Sequence, residues 1–470
     1  LTVYLVAQSI FIIGGNLRLL PLTGVTLPFV SYGGSSLLTS FLSLIFLLHI
    51  SVSSQAHAIS SQSALLEPAQ HSRPVYHVAA LLWAGLAAVA FLGGWWSIYR
   101  GPALLERTDN ARRAIADRYV LRGSLLDRNN FPLIATLGRP GEYTRYSQYP
   151  DLSPVTGYTH PFFGQSGLEA SLDPYLRGLQ GNPGIAIWWN NLLYGMPPPG
   201  LDIRLSLDLS LQQAADRLLR GHQGALVLLD AANGDILVMA SHPNFDPNQL
   251  EQTWNNLVDD RRAPLFNRAA LGQYQPGTSL APLLLAAFFE QQGLDATLPV
   301  LPEEFGLTLW DASVEMNLNC AFDPGSKDWA TAISMSCPAP VLSLARSLEE
   351  SFPPEYAAPD GTLQNFFQDL GFYTMPAIRL PAAASPLPAE SIEFNRLALG
   401  QAGLRTSPLQ MALAAAILSS GGSRPAPRLV IAVNTPQAGW VVLPYLSEPV
   451  NVLSSGAVTA AVQMLSVEGV

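Results

Sequence analysis

Hydrophobic and polar positions divide this chain into two regimes. Residues 1–13 are apolar except for Thr2, Gln8 and Ser9, and they read as the end of a spanning helix. Residues 35–52 hold one histidine and several Ser and Thr, and are long enough to span. Residues 78–98 carry no charge at all. At 1.5 Å per residue that run covers about 31 Å, the thickness of a bilayer core. Trp83 near one end, and Trp95, Trp96 and Tyr99 at the other, fit interfacial aromatic anchors. The first regime thus predicts membrane helices, with a 53–77 linker rich in Ser, Ala, Gln and His before the third.

The second regime has short periods. Residues 103–118 read as a short charged helix, and 121–137 as a strand, a polar turn and a second strand. A helix is expected over about 209–220, capped by Asp208 or Ser210. The apolar runs 224–230 and 235–241 flank Ala231, Ala232, Asn233 and Gly234. Asn-Gly between apolar runs is a strong hairpin signal.

Net charge is −10 over 470 residues, unevenly placed. Residues 1–99 hold only Arg18, Arg73 and Glu67, so the acidic excess lies beyond residue 100. A large acidic part excludes nucleic acid as the expected partner. The histidines are scattered without Cys or acidic neighbours, so neither metal nor cofactor is expected. Cys320 and Cys337 leave two readings open. Two unpaired thiols is the favoured one, because sequence alone cannot place them. In an oxidising compartment they would instead close a loop worth about 3 kcal/mol.

The candidate chemistry lies in 267–281, around Gln275, Pro276, Gly277, Thr278, Ser279, Leu280 and Ala281. A hydroxyl is a weak nucleophile until a neighbour takes its proton. An amine three residues on, along one helix face, does this in Ser-x-x-Lys enzymes. This segment resembles the one that carries Ser-x-x-Lys in penicillin-binding transpeptidases, with Thr278 at the Ser position and Ala281 at the Lys position. No Ser-x-x-Lys exists anywhere in the chain, and its single lysine is Lys327, beside Ser326. The plainer reading is an ordinary helix start, with Ser279 as N-cap and Pro282 in the first turn. Ser279 is also the alternative nucleophile.

Other segments resemble class B penicillin-binding proteins outside the active site. Arg122, Gly123, Asp127 and Arg128, then Gly164 to Glu169, then Tyr175 to Gly178 match the pedestal, where fold support is the expected role of Arg122, Asp127 and Arg128. Asp208 to Gln212, the 224–241 hairpin and the run from Ser241 to Asn248 match the start of the transpeptidase domain. Gly400, Gln401 and Gly403, with Thr406 to Ala412, match a late helix. The resemblance places a second motif, Ser-x-Asn, at Ser336 and Pro338, so its Asn is missing. A third, Lys-Thr-Gly, is expected just past Val470.

Before the second span, residues 21–36 include Pro28, Ser31, Tyr32, Gly33, Gly34 and Ser35. This run resembles the last outer loop of SEDS proteins, the FtsW/RodA/SpoVE family of cell-wall glycan polymerases. Gly33 and Gly34 permit positive φ in a tight re-entrant turn. The resemblance covers about 1–52, which contains no Asp or Glu and cannot supply a catalytic carboxylate. It implies that the loop lies outside the cell and the 53–77 linker inside. The arginines at 100, 107, 112 and 113 would by counting alone reverse that orientation.

These segments imply a linear organisation. Residues 1–52 are the last two transmembrane helices of a SEDS-like protein, 53–77 a cytoplasmic linker and 78–99 an anchor. The resemblance implies membrane helices followed by an α+β part, with residues 100–220 a β-rich pedestal and 221–470 a C-terminally truncated penicillin-binding, β-lactamase-like transpeptidase domain. Leu1 begins inside an apolar run, so the chain reads as a piece of a longer fusion. Its expected setting is the bacterial cytoplasmic membrane, with the bulk extracytoplasmic. The resemblance implies a SEDS polymerase portion in cis, upstream, as partner, and peptidoglycan or a lipid-linked precursor as ligand. The leading reading is an inactive transpeptidase-like domain that partners or activates that polymerase. An active D,D-transpeptidase and a non-functional gene fragment are the alternatives.

Overall fold

The computed structural model describes residues 118–466 apart from 195–197, 312–313, 351–361, 388–393 and Ala402, together with short helical pieces between Gln8 and Trp95. The expected spans lie outside the described residues except for those pieces. So do the 21–36 loop, the 53–77 linker and 103–117. Among the described residues no helix is long and apolar enough to cross a membrane. The chain forms two compact units, Leu1–Trp96 and Ser97–Val470. The strands and helices from Leu125 onward belong to the second.

The part expected to form the pedestal is built on one six-stranded sheet. Strand β1 (Leu125–Leu126) turns back into β2 (Pro132–Leu137), and β3 (Thr144–Ser147) continues the antiparallel run. The turn forms because the Asp127 carboxylate accepts the N–H groups of Asn129 (2.8 Å) and Phe131 (2.7 Å). Two short strands, β4 (Thr159–His160) and β5 (Gly164–Gln165), pair separately. Strand β6 (Ile203–Leu205) then runs parallel to β1.

Sheet and chain order part company here. Strands β12 (Val430–Thr435) and β13 (Gly439–Val442) join the far side of β6, giving the order β13-β12-β6-β1-β2-β3. Val430, Ala432 and Val433 are buried there against the pedestal core. The β-rich pedestal therefore draws two strands from the C-terminal part, and the sheet runs across the expected division at 220/221.

A buried ion network supports it. Glu169 is fully enclosed; it bonds Arg122 at 3.0 Å and Arg145 at 2.6 Å, and Arg122 also reaches Asp173 at 2.6 Å. Arg122 and Asp127 hold the fold, as expected. The Arg128 side chain is exposed, and among the described residues its contact is through the backbone N–H, which donates to Leu207 (2.9 Å).

Helix α1 (Gly184–Tyr194) precedes β6, and α2 (Leu209–Leu219) follows it. Asp208, not Ser210, caps α2 by accepting the N–H groups of Ser210 and Leu211. The predicted hairpin is present as β7 (Gly224–Leu229) and β8 (Ile236–His242). Gly234 has φ of 78°, and a β-carbon there would lie 2.0 Å from the Ala426 oxygen, so the turn requires glycine. Among the described residues β7 pairs with no strand but β8, leaving its outer edge open.

The larger core surrounds α4 (Ala281–Gln292), which follows the short α3 (Arg268–Leu271). Helix α4 is apolar on nearly every face, as a helix enclosed on all sides must be. Around it lie α6 (Pro338–Glu350), joined to α5 (Trp329–Ser334), then α7 (Pro408–Ser419) and α8 (Ser455–Leu465). Strands β9 (Leu307–Asp311) and β10 (Val314–Leu318), and β11 (Ser423–Arg424) with β14 (Val450–Asn451), form two small ribbons. The late helix starts as the sequence predicts. Ser407 and Gln410 make a reciprocal capping box and Pro408 lies in the first turn.

Tyr373 packs against this core with its hydroxyl buried and unpartnered among the described residues. Burial pushes its pKa up to about 12. Folding therefore retains a proton that the unfolded chain loses near pH 10, so this group's contribution falls as pH rises from about 10 to 12. Tyr373→Phe should stabilise by about 1 kcal/mol and flatten that alkaline loss, as read by urea midpoints across the range.

Candidate active site

Thr278 lies in a 3-10 turn, Gly277–Leu280, that runs directly into α4. The turn is clamped by the 400–406 loop. Gly277 N–H donates to Gly400 (3.0 Å), while Tyr274 and Thr406 exchange backbone bonds of 2.9 and 2.8 Å. Gly400 has φ of 58°, and a β-carbon there would sit 2.5 Å from the Gly277 oxygen. Only glycine lets the two backbones meet.

The Thr278 hydroxyl donates to the carbonyl of Ser336 at 3.2 Å. The two motif positions are thus brought together, through a main-chain oxygen. Ser336 is in the left-handed region, φ 54°, in the turn between α5 and α6. A non-glycine residue there stores strain and persists only when its surroundings enforce it. The enforcing groups flank it. Cys337 is fully buried and bonded to Cys320, and Ala321 N–H donates to Met335 (2.9 Å). The unpaired-thiol reading is corrected: the folded chain brings the two Cα atoms to 4.0 Å across a separation of 17 residues. Replacing both cysteines by serine should cost about 3 kcal/mol, from the entropy of the loop the bond closes. Urea denaturation measures it, and a loss under about 1 kcal/mol would assign the bond no part in stability.

Each remaining motif position has a structural occupation. Ala281 is fully buried as the first residue of α4, so a methyl fills the place of the amine. Pro338 opens α6, where a missing N–H is harmless. Ser279 is exposed and its hydroxyl donates back to the Pro276 carbonyl. The N-cap position of α4 is Leu280, with no side-chain cap, so the expected Ser279 cap is corrected; Pro282 does lie in the first turn. Lys327 is exposed, its ammonium donating to the Glu303 carbonyl at 2.7 Å.

Among the described residues the Thr278 hydroxyl bonds a carbonyl and no titratable side chain. A peptide carbonyl accepts a hydrogen bond but not a proton at neutral pH, so it holds Thr278 without activating it. Close to the turn, the Gln273 amide has both polar atoms buried and unpartnered among the described residues. Among the described residues no cluster of three His, Cys, Asp or Glu side chains is placed to hold a metal.

A second polar constellation joins Gln212 and His242, each from a matched run, to Asp216 and Tyr149, and no reading of those runs gave it a role. Asp216 accepts from Tyr149 (2.7 Å) and lies 2.9 Å from His242 Nε2, with Gln212 at 3.2 Å. Burial and then the Asp216 carboxylate hold the Tyr149 pKa above its ordinary value. These residues tie pedestal, α2 and β8 together beside a cavity of about 350 Å³ that Arg220, His222 and Arg262 also line. Beyond those runs, the sequence signal is Gln212 and Asp216 four apart on one helix face.

Fold and site together define a class. Residues 224–465 match the family model for the penicillin binding protein transpeptidase domain, just over half the chain, and the chain belongs to that family. Residues 1–56 match a second model, the cell cycle protein family of FtsW, RodA and SpoVE. Among curated proteins it is 28% identical over 307 residues to the peptidoglycan D,D-transpeptidase MrdA of Acinetobacter baumannii, covering 58% of this chain and 42% of that protein. It is 24% identical over 403 residues to the peptidoglycan D,D-transpeptidase PbpA of Mycobacterium tuberculosis, covering 76% and 77% of the two chains. Of solved structures, a ceftriaxone acyl-enzyme complex of penicillin-binding protein A from M. tuberculosis aligns with a TM-score of 0.62 at 22% identity, covering 74% of this chain and 80% of that one. At that identity the likeness speaks for the fold.

Proposed function

We propose that this chain works in bacterial cell-wall synthesis as a transpeptidase-like domain that does not acylate, serving a SEDS-type glycan polymerase encoded upstream in the same polypeptide. The observation that carries this reading is the Thr278 hydroxyl resting on the Ser336 carbonyl, with buried Ala281 where a basic amine would stand. The match of 1–56 to a polymerase family supports the cis partner. Fusion raises the effective concentration of two modules without a new contact. The membrane, with the bulk outside, is its setting, and peptidoglycan or its lipid-linked precursor the ligand class.

Two measurements test the reading. Purified full chain, given a peptide ending in D-Ala-D-Ala, should release no free D-alanine above a buffer blank. Release that vanishes in Thr278→Ala or Ser279→Ala would overturn the inactive assignment. Carbonate washing of membranes should leave the protein in the pellet, and its appearance in the wash would remove the membrane setting.

A further inference from the structure

Residues 178–201 hold no charged side chain, and within them α1 is oriented the wrong way round for a globular protein. Ile185 is 77% exposed, Trp188 59%, Trp189 52% and Leu193 53%. The spacing i, i+3, i+4, i+8 puts these four on one stripe. Among the described side chains of the helix, Ala186, Ile187 and Asn190 are half-buried, and the Asn190 amide is turned back onto the Ala186 carbonyl at 2.9 Å. The apolar stripe therefore faces outward.

The excursion is rigidly rooted. Gly123 N–H donates to Leu176 (2.9 Å) and Gly200 N–H to Leu121 (2.8 Å), so both ends are pinned to residues 121–123. The backbones touch: a β-carbon on Gly200 would lie 1.8 Å from the Leu176 oxygen. Residue 121 follows the uncharged 78–98 run by little more than twenty positions. The root is thus close in sequence to the expected anchor.

An 11-residue helix is about 16 Å long, too short to cross a bilayer. It offers no charge by which a protein partner would be selected. Paired tryptophans beside aliphatic residues suit the boundary between headgroups and acyl chains, where an apolar ring body is buried and the indole N–H stays wet. We propose that α1 is a membrane-surface helix that sinks Ile185, Trp188, Trp189 and Leu193 into a lipid surface, giving the pedestal a second attachment besides its anchor. The occupant is a bilayer interface, and because no basic residue lines the stripe its binding does not require anionic lipid. The inference rests on the membrane setting proposed above, which carbonate washing tests independently.

Site-directed spin labelling decides it. The only two cysteines form the disulfide, so an introduced thiol is labelled alone. Full chains carrying Ile185→Cys, Trp188→Cys or, as an exposed control, Arg261→Cys are nitroxide-labelled and reconstituted into phosphatidylcholine vesicles. Labels at 185 and 188 should be open to oxygen, shielded from a water-soluble nickel chelate, and about 5–10 Å below the phosphates, while the label at 261 stays open to nickel. Nickel access at 185 and 188 equal to that at 261 overturns the proposal. Labels immobilised and closed to both reagents overturn it too, because they would mark a protein contact or a second copy of this chain.

Discussion

A fluorescent penicillin incubated with the purified protein should leave its band unlabelled on a denaturing gel. Acylation needs a hydroxyl, a base within hydrogen-bond reach and donors for the developing oxyanion. Thr278 keeps a hydroxyl, but its γ-methyl crowds the approach and its proton is held by the Ser336 carbonyl. Ala281 supplies no base, and Pro338 has no side-chain donor. Loss of a general base alone costs roughly 10²–10⁴ in rate, and losses within one catalytic unit do not multiply, so the expected result is absence of label. Thr278→Ser should stay unlabelled, since it restores a less crowded hydroxyl and no base. A labelled wild-type band that disappears in Thr278→Ala or Ser279→Ala would reveal a base elsewhere and remove the inactive assignment.

Glu169→Gln should be the most damaging conservative change in the pedestal. The substitution keeps shape and removes charge. Glu169 is fully buried between Arg122 and Arg145, which are themselves almost enclosed. Burial lowers the Arg145 pKa and Glu169 opposes that shift, so the carboxylate is what makes the buried guanidinium tolerable. Arg122 would keep Asp173. Among the described residues Arg145 would keep the Thr136 hydroxyl (2.8 Å), a neutral amide and the weaker attraction of Asp202. Breaking a buried pair from one side costs about 3–5 kcal/mol, against about 0–1 for an exposed pair. Urea denaturation of detergent-solubilised protein should show it, and a loss under about 1 kcal/mol would mean that water reaches Arg145.

Local chemistry was the legible part of this chain. The Asn233-Gly234 turn, a helix capped by one of Asp208 and Ser210, and a late helix entered within 406–412 are each set within a few residues, and each stands where the pattern puts it. That Ala281 carries no titratable group is also plain from the sequence and holds in any fold. Long-range pairing was not readable. That β12 should complete the pedestal sheet, more than 200 residues after β6, depends on which edge is free once everything else has folded. The Cys320–Cys337 bond likewise depends on a turn that places Ser336 at positive φ, a conformation serine does not advertise. Direction was the third loss. No element is predicted over 184–194, and an apolar stripe does not state that it points away from the core.

The open outer edge of β7 has a consequence for handling the molecule. Its sequence, GALVLL, has no charge and no proline, the two features that stop a strand from recruiting another copy. Leu228 is already exposed on it. Association through such an edge rises with concentration, so the protein should stay dispersed when dilute and form β-rich, thioflavin-binding assemblies on concentration or mild heating. Leu228→Lys would then act as a gatekeeper, lengthening the lag before assembly while leaving the monomer's fold unchanged.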